Sequence, residues 1–326
     1  MKRIRGISAI FVFGVLFWLF LSAGEAVGVT CPGESLQTAI NAASSGDIIS
    51  VTGICNENID ITKFGITIDG NNSAEIHASD ATKPAVLIRA NQVIVRKFHS
   101  IQGGQDGVYV ATSIGSIIFN NTIQSNGRTG VYVFSGGAPT INANTITNNV
   151  SSGILVLGNG YAFITNNTIT NNPGDGIYVT ESSAARIGFS SPSQTTASPN
   201  TITLNGGDGI VVTRASNGWI VGNTISDNVG NGVTVEKSSH AGISANTIDH
   251  NGVDGIWVSQ GSGANIGTDT GTGIFDAPNT TNTNNTNRGL ECSDGGYVDG
   301  RLGTLNGVNG KKSITRGCVN SLIPPY

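Results

Sequence analysis

Charge is scarce in this sequence. Only 12% of its 326 residues are Asp, Glu, Lys or Arg, so solubility must come largely from Asn, Ser and Thr. That balance suits a repetitive extracellular β-protein better than a cytosolic enzyme. Leucine is too sparse for the framework of a leucine-rich repeat. Runs of apolar residues at spacings of three and four are missing from the middle of the chain, which excludes a helical repeat. The four cysteines lie near the two ends. The four histidines, His77, His99, His240 and His250, are scattered and form no metal-ligand set.

What is present is a repeat. Gly107-Val108-Tyr109-Val110 recurs from Gly130, Gly153, Gly176, Gly209, Gly232 and Gly255, at intervals of 23, 23, 23, 33, 23 and 23 residues. Each unit also carries Asn-Thr-Ile and a second asparagine five residues later. Within the unit from Gly130, Val131 and Val133 are two apart, followed by Ile141 and Ile146. A spacing of two places both side chains on one face of a strand. Each unit therefore reads as three short strands, which bury their apolar faces only by stacking on neighbouring units. A left-handed hexapeptide helix would repeat every six residues and does not fit.

The motif Gly-Ile/Val-x-Val followed by Ile-x-x-Asn-Thr-Ile-x-x-Asn resembles the repeats of the right-handed parallel β-helix, or pectin-lyase-like, superfamily, over about residues 59–266. The resemblance implies an all-β, single-stranded right-handed parallel β-helix. Counting the irregular early turns with the seven glycine-led units gives about nine turns, a rod roughly 40 Å long. For activity the resemblance is open, because such folds serve lyases, hydrolases, epimerases, adhesins and phage tailspikes. The family's hydrolase motifs, paired adjacent aspartates and a Gly-His-Gly turn, are absent here. So are a lyase signature around Trp-x-Asp-His, of which Ile248-Asp249-His250 is only a fragment, and an epimerase-type Asp-Pro-His-Asp.

The repeated asparagines form two expected ladders. One runs through Asn121, Asn144, Asn167, Asn200, Asn223 and Asn246; the other through Asn126, Asn149, Asn172, Asn205, Asn228 and Asn251. Stacked amides can hydrogen-bond from turn to turn, and Asn also tolerates the left-handed backbone of tight corners. They are expected to hold corners rather than bind ligand.

Residues 1–26 read as a secretory signal peptide: Lys2, Arg3 and Arg5, an apolar run from Ile7 to Leu21, then small residues. Leu21-Ser22-Ala23-Gly24 begins like a lipoprotein signal, but Glu25 stands where the lipidated cysteine would be. The expected location is secreted, periplasmic or at the cell surface, with no membrane insertion after cleavage. Removing three of the 17 basic residues and one of the 21 acidic ones leaves 14 against 20, which offers nothing for nucleic acid or a polybasic membrane patch.

Residues 27–58 read as an N-terminal cap. Leu36, Ala39, Ile40 and Ala43 share one helical face, Ser35 can cap the helix, and Gly46 ends it. The β-helix is expected over 59–288 and an irregular C-terminal cap over 289–326. Cys31 with Cys55, and Cys292 with Cys318, fall in two local pairs, as two disulfides closing the ends would. Two turns are enlarged by ten residues at the same point, after Gly188 and after Gly267, and bracket a span of three turns.

Three candidate sites follow. Position x of Gly-Ile-x-Val points to solvent and reads Tyr109, Tyr132, Leu155, Tyr178, Val211, Thr234 and Trp257, with Phe134 and Leu157 in the next outward column. Such a stripe suits stacking on the sugar rings of a polysaccharide, contact with a protein partner as in a purely structural or adhesive surface rod, or cross-strand stabilisation of the sheet. Five residues after each glycine stand Glu181, Arg214 and Lys237 on consecutive turns. In a polyuronate lyase or epimerase these would neutralise a carboxylate and move a proton; otherwise they are a self-relieving charge ladder. Asp175 and Asp208 meet across one rung, where a calcium ion would relieve their repulsion. Turn chemistry is the simpler account, since Thr129, Ser152 and Asn231 share their column. No other cofactor is implied.

Overall fold

The computed structural model describes residues 26–191, 193–267, 277–315 and 317–324. The segment read as a signal peptide, apart from Ala26, lies outside the described residues, as does most of the second enlarged turn.

Each repeat coils once through three strands. In the unit opened by Gly130 these are Val131–Phe134, Ala138–Asn142 and Thr145–Thr147. Equivalent strands pair in parallel with the units before and after. Val131 is in register with Val108 and Ile154, Ile141 with Ile118 and Ile164, and Ile146 with Ile123 and Ile169. Three parallel sheets result: sheet I, of 11 strands, holds the glycine-led strands, while sheets II and III, in chain order within a turn, have 13 and nine. The molecule is the expected all-β parallel β-helix with one short helix.

The coil has about 12 turns rather than nine. Ala26–Thr30 pairs with Ile48–Thr52 at the start of sheet II. Leu290–Cys292 and Lys312–Ile314 prolong sheet I, and Tyr297–Gly300 and Val319–Leu322 prolong sheet II. These end strands keep the pairing but lose the sequence repeat, so counting glycines missed them. Thirteen strands in sheet II correspond to a rod about 58 Å long.

The inside of the coil is a set of columns. Val131, Val133, Ile141 and Ile146 are all fully buried, as are their equivalents in the other glycine-led units, except that the half-buried Thr281 follows Ile248 in the last. Burying each such side chain stabilises by about 1.5–3 kcal/mol. The leading glycine is required by close approach: a Cβ on Gly153 would lie 2.5 Å from Ile169 Cγ2 and 2.8 Å from the Gly176 carbonyl oxygen.

Hydrogen bonds run up each corner. Between sheets II and III, Asn144 donates through its amide to Asn167 Oδ1 (3.0 Å) and to the Ile118 carbonyl (2.9 Å), and its backbone N–H donates to the same Asn167 oxygen at 2.9 Å. Both asparagine ladders form, and each extends one step further, to Asn279 and Asn285. The left-handed backbone, however, falls on the residue before the ladder asparagine, as at Ala143 and Leu204. The amides are there for hydrogen bonding rather than for their tolerance of positive φ. Between sheets I and II a serine ladder performs the same task, with the N–H of Ser183 donating to Ser216 Oγ, that of Ser216 to Ser239 Oγ and that of Ser239 to Ser262 Oγ. The signal for it was present in the sequence, since these serines recur at the unit spacing.

The ends are closed as expected by disulfides Cys31–Cys55 and Cys292–Cys318. The helix Leu36–Ala42 buries Leu36 and Ile40, with Ser35 as N-cap. It ends at Ala43 rather than at Gly46, because the Ala43 N–H already satisfies the Ala39 and Ile40 carbonyls. Glu57, one turn on, adds a carboxylate that accepts from the Leu36 N–H at 2.6 Å, where a helix N-terminus favours negative charge. Among the described residues no helix is long and apolar enough to cross a membrane.

Candidate functional site

Sheet I places the expected aromatic stripe in strict register: Tyr109 on Tyr132, Tyr132 on Leu155, Leu155 on Tyr178, Tyr178 on Val211, and Thr234 on Trp257. The stripe is not uniformly exposed. Tyr132 is only 9% exposed, because Tyr109 stacks on it at 4.7 Å, Phe134 lies at 5.8 Å, and the Arg128 guanidinium covers its ring at 4.7 Å. Arg128 is held there by two hydrogen bonds to the fully buried carboxylate of Asp106. Val211 and Thr234 are also buried, at 5% and 2%. The turn entering sheet I overhangs this column, so position x faces outward without always reaching solvent.

Where the overhang recedes, a shallow cleft of about 350 Å³ opens. Leu155, Leu157 and Tyr178 give it apolar walls, and Ser151, Ser152, Asp175, Thr180, Glu181 and Arg214 supply polar groups. Thr180 is 3% exposed and its hydroxyl has no hydrogen-bond partner. A buried, unpaired hydroxyl is costly and rare in native structures.

Two of the three charged candidates meet at this cleft. Glu181 and Arg214 form an exposed ion pair at 3.8 Å. Lys237 instead turns to Glu236, whose carboxylate also accepts from Thr213 Oγ1 at 3.0 Å. All three sit at φ of 54°, at the corner where the chain leaves sheet I.

Asp175 and Asp208 occupy adjacent rungs, but each serves the next turn. Asp175 Oδ1 accepts from the Asp208 N–H at 2.8 Å, and Asp208 Oδ1 from the Asn231 N–H at 2.6 Å, while Asp208 Oδ2 accepts from Thr234 Oγ1. Asn231 and Asp254 repeat the pattern. Burial raises the Asp175 carboxyl to about 6, against the lowering effect of the Asp208 N–H; it raises Asp208 as well. Among the described residues these two belong to no cluster of three or more metal-ligating side chains.

Trp257 lies apart from the Tyr178 cleft. Its indole N–H donates to Ser293 Oγ at 3.3 Å, and it lines a second cavity of about 560 Å³ with Asn231, Asp254, Asn287 and Glu291. Burial raises Asp254 to about 6 there, with Glu291 adding to the shift.

A family model described as a right-handed beta helix region matches residues 38–191 and 152–307. Among curated proteins, a cell surface glycoprotein of Methanothermus fervidus is 39% identical over 93 residues, which are 28% of this chain and 15% of that protein. The chain thus matches only a small part of that relative's length. Among solved structures, pectate lyase Pel9A superposes with a TM-score of 0.55 at 14% identity, covering 93% of this chain and 79% of its own. The A-module of the Azotobacter vinelandii mannuronan C-5 epimerase AlgE6 gives 0.54 at 15%, covering 89% and 94%. The enzymatically active domain of bacteriophage CBA120 tailspike protein 2 gives 0.55 at 12%, covering 86% and 48%. At these identities the likeness is one of fold.

Proposed function

The chain belongs to the right-handed β-helix family, and from that premise we propose that it is an extracellular or cell-surface protein that binds a polysaccharide along sheet I. The Tyr178 cleft is the centre of that face. The observation that carries the reading is the unpaired Thr180 hydroxyl beside the Tyr178 ring. An aromatic face next to uncommitted polar groups is what a sugar ring needs: its C–H faces stack and its hydroxyls exchange hydrogen bonds. The neighbouring folds support a carbohydrate ligand, since two of them are a pectate lyase and a mannuronan epimerase. The two disulfides and the partial match to a cell surface glycoprotein support an oxidising, extracellular setting.

Native electrophoresis through gels cast with acidic and neutral polysaccharides tests this. The unaltered protein should be retarded by at least one polymer, and Tyr178→Ala should weaken that retardation about tenfold while Tyr109→Ala, in the packed cluster above, changes it less. Equal retardation of the Tyr178 variant and the parent would remove the cleft from the reading.

A second reading is a polyuronate lyase or epimerase. Its specific support is the Asp175 carboxyl at about 6, lining the same cleft as Arg214 and Glu181. A group poised there can take or return a proton near neutral pH. Arg214 would then face the substrate carboxylate, and a new unsaturated or epimerised uronate would appear in the polymer. The expectation of a calcium ion between Asp175 and Asp208 would show as retardation that depends on added calcium.

A further inference from the structure

Sheet II carries an outward column that does not repeat. Rung by rung it reads Phe163, Arg186, Trp219, Gly242, Asn265 and Asp299. At the top, Arg186 lies 5.6 Å from the rings of both Phe163 and Phe189 and donates to the Ser190 carbonyl. That end is closed. Trp219, one rung on, is 41% exposed, and the next rung has no side chain at all. Gly242 leaves a notch of about 200 Å³ between Trp219 and Asn265, bordered by Asn217, His240, Val221 and Ser244. The strands of Trp219 and Asn265 are two spacings apart, about 9.6 Å.

The polar groups around this notch are uncommitted. Among the described residues, the side chains of Asn217, His240 and Asn265 make no hydrogen bond, and neither does the Trp219 indole N–H. The lining holds no Asp, Glu, Lys or Arg. Val221, which borders the notch, packs against Phe189 of the first enlarged turn; both are 2% exposed and form a small apolar cluster of their own. Both enlarged turns leave from the ends of sheet II strands, the first after Ala184–Ile187 at Gly188, the second after Gly263–Ile266 at Gly267. Those strands flank the two that carry Trp219 and Gly242. The points at which the insertions depart, Gly188 and Gly267, therefore lie on the rungs either side of this notch on sheet II, whereas Glu181, Arg214 and Lys237 stand at the edge of sheet I.

We propose that the Gly242 notch is a second carbohydrate site, taking one hexopyranose residue of a neutral glycan. The indole borders the ring, and the amides of Asn217 and Asn265 supply both donors and acceptors from opposite sides. The absence of formal charge in the lining selects against a uronate or a phosphate. The space is that of a single residue rather than of a chain laid along the rod, because Trp219 bounds the notch above and Asn265 below.

The test uses the full chain in native gels cast with neutral polysaccharides: a mixed-linkage β-glucan, a galactomannan and an α-glucan. Two variants address the notch without touching the core. Trp219→Ala removes the exposed indole. Gly242→Val fills the gap; its Cβ would meet Trp219 Cδ1 at 3.6 Å, an ordinary contact, and valine suits a strand. Circular dichroism checks that both are folded. Retardation of the parent by at least one neutral polymer, about tenfold weaker in both variants and unchanged in Tyr178→Ala, is the expected result. Free migration of the parent in all three gels overturns the proposal. So does undiminished retardation of folded Trp219→Ala and Gly242→Val, or a loss confined to Tyr178→Ala, which would put the glycan on sheet I.

Discussion

The inside of the coil and its outside obey different rules. Inside, one residue type recurs down most of each column: isoleucine or valine in the sheets, asparagine at two corners, and serine at the third from Ser183 to Ser262. Each member meets a copy of itself one spacing away, and the ladder is satisfied when the copies are identical. Outside, adjacent rungs differ, and the differences make the features. Tyr109, Tyr132 and Phe134 fall on neighbouring positions and satisfy one another. Tyr178 and Trp219 have no aromatic on the next rung and are left beside open space. Regularity stabilises this fold, and interruption of regularity opens clefts on its surface.

That contrast is most sharply tested inside. Asn167→Ala in mid-ladder removes the acceptor for Asn144 and the donor to the Ile141 carbonyl and Asn200 Oδ1. A destabilisation of about 3 kcal/mol is expected from the orphaned buried groups, read as a lower midpoint in denaturant. A loss below about 0.5 kcal/mol would mean that the ladder is decoration.

A smaller effect, and one that depends on pH, is expected at the boundary. The Asp175 carboxyl titrates at about 6 in the folded chain against an ordinary 3.8, so the folded state holds this proton more tightly than the unfolded one. Its contribution is most favourable below about pH 4 and is lost as pH rises through 6. Asp175→Asn keeps an acceptor for the Asp208 N–H, as Asn231 does for Asp254. It should change stability little near pH 4 and raise it by about 2 kcal/mol at pH 7.5. A gain of equal size at both pH values would assign the effect to packing instead.

The smallest stability effect belongs to the outside. Arg214→Ala breaks an ion pair more than half exposed on both sides, and should cost roughly 0.5 kcal/mol or less. If the chain turns over a polyuronate, the same change abolishes turnover while retardation by the polymer persists. A thermal shift as large as that of Asn167→Ala would break the distinction between inside and outside.

The sequence disclosed the columns that repeat and little else about the surface. Val131, Asn144 and Gly153 were legible because each recurs at a fixed spacing, and register then follows from parallel stacking. Ser183 and its equivalents recur in the same way and were overlooked. Trp219, Gly242 and Asn265 were not legible, since neither residue type nor chemistry repeats in their column; only folding shows that they are successive rungs. Tyr132 was legible as outward but not as covered, because its cover comes from Arg128, which is placed by Asp106 one turn away. The end strands were missed for a related reason: they keep backbone pairing, which any sequence can make, while losing the side-chain repeat.

By itself, then, the sequence determined the parallel coil, its corners and its disulfide-closed ends, because a 23-residue apolar and asparagine period has only one economical way to bury itself. Tertiary structure alone decided which outward residues reach solvent, that the enlarged turns depart from the ends of sheet II strands, and that a clear slot stands beside Trp219. Those depend on how neighbouring turns overhang and on what is absent from the adjacent rung, and neither is a property of any one stretch of chain.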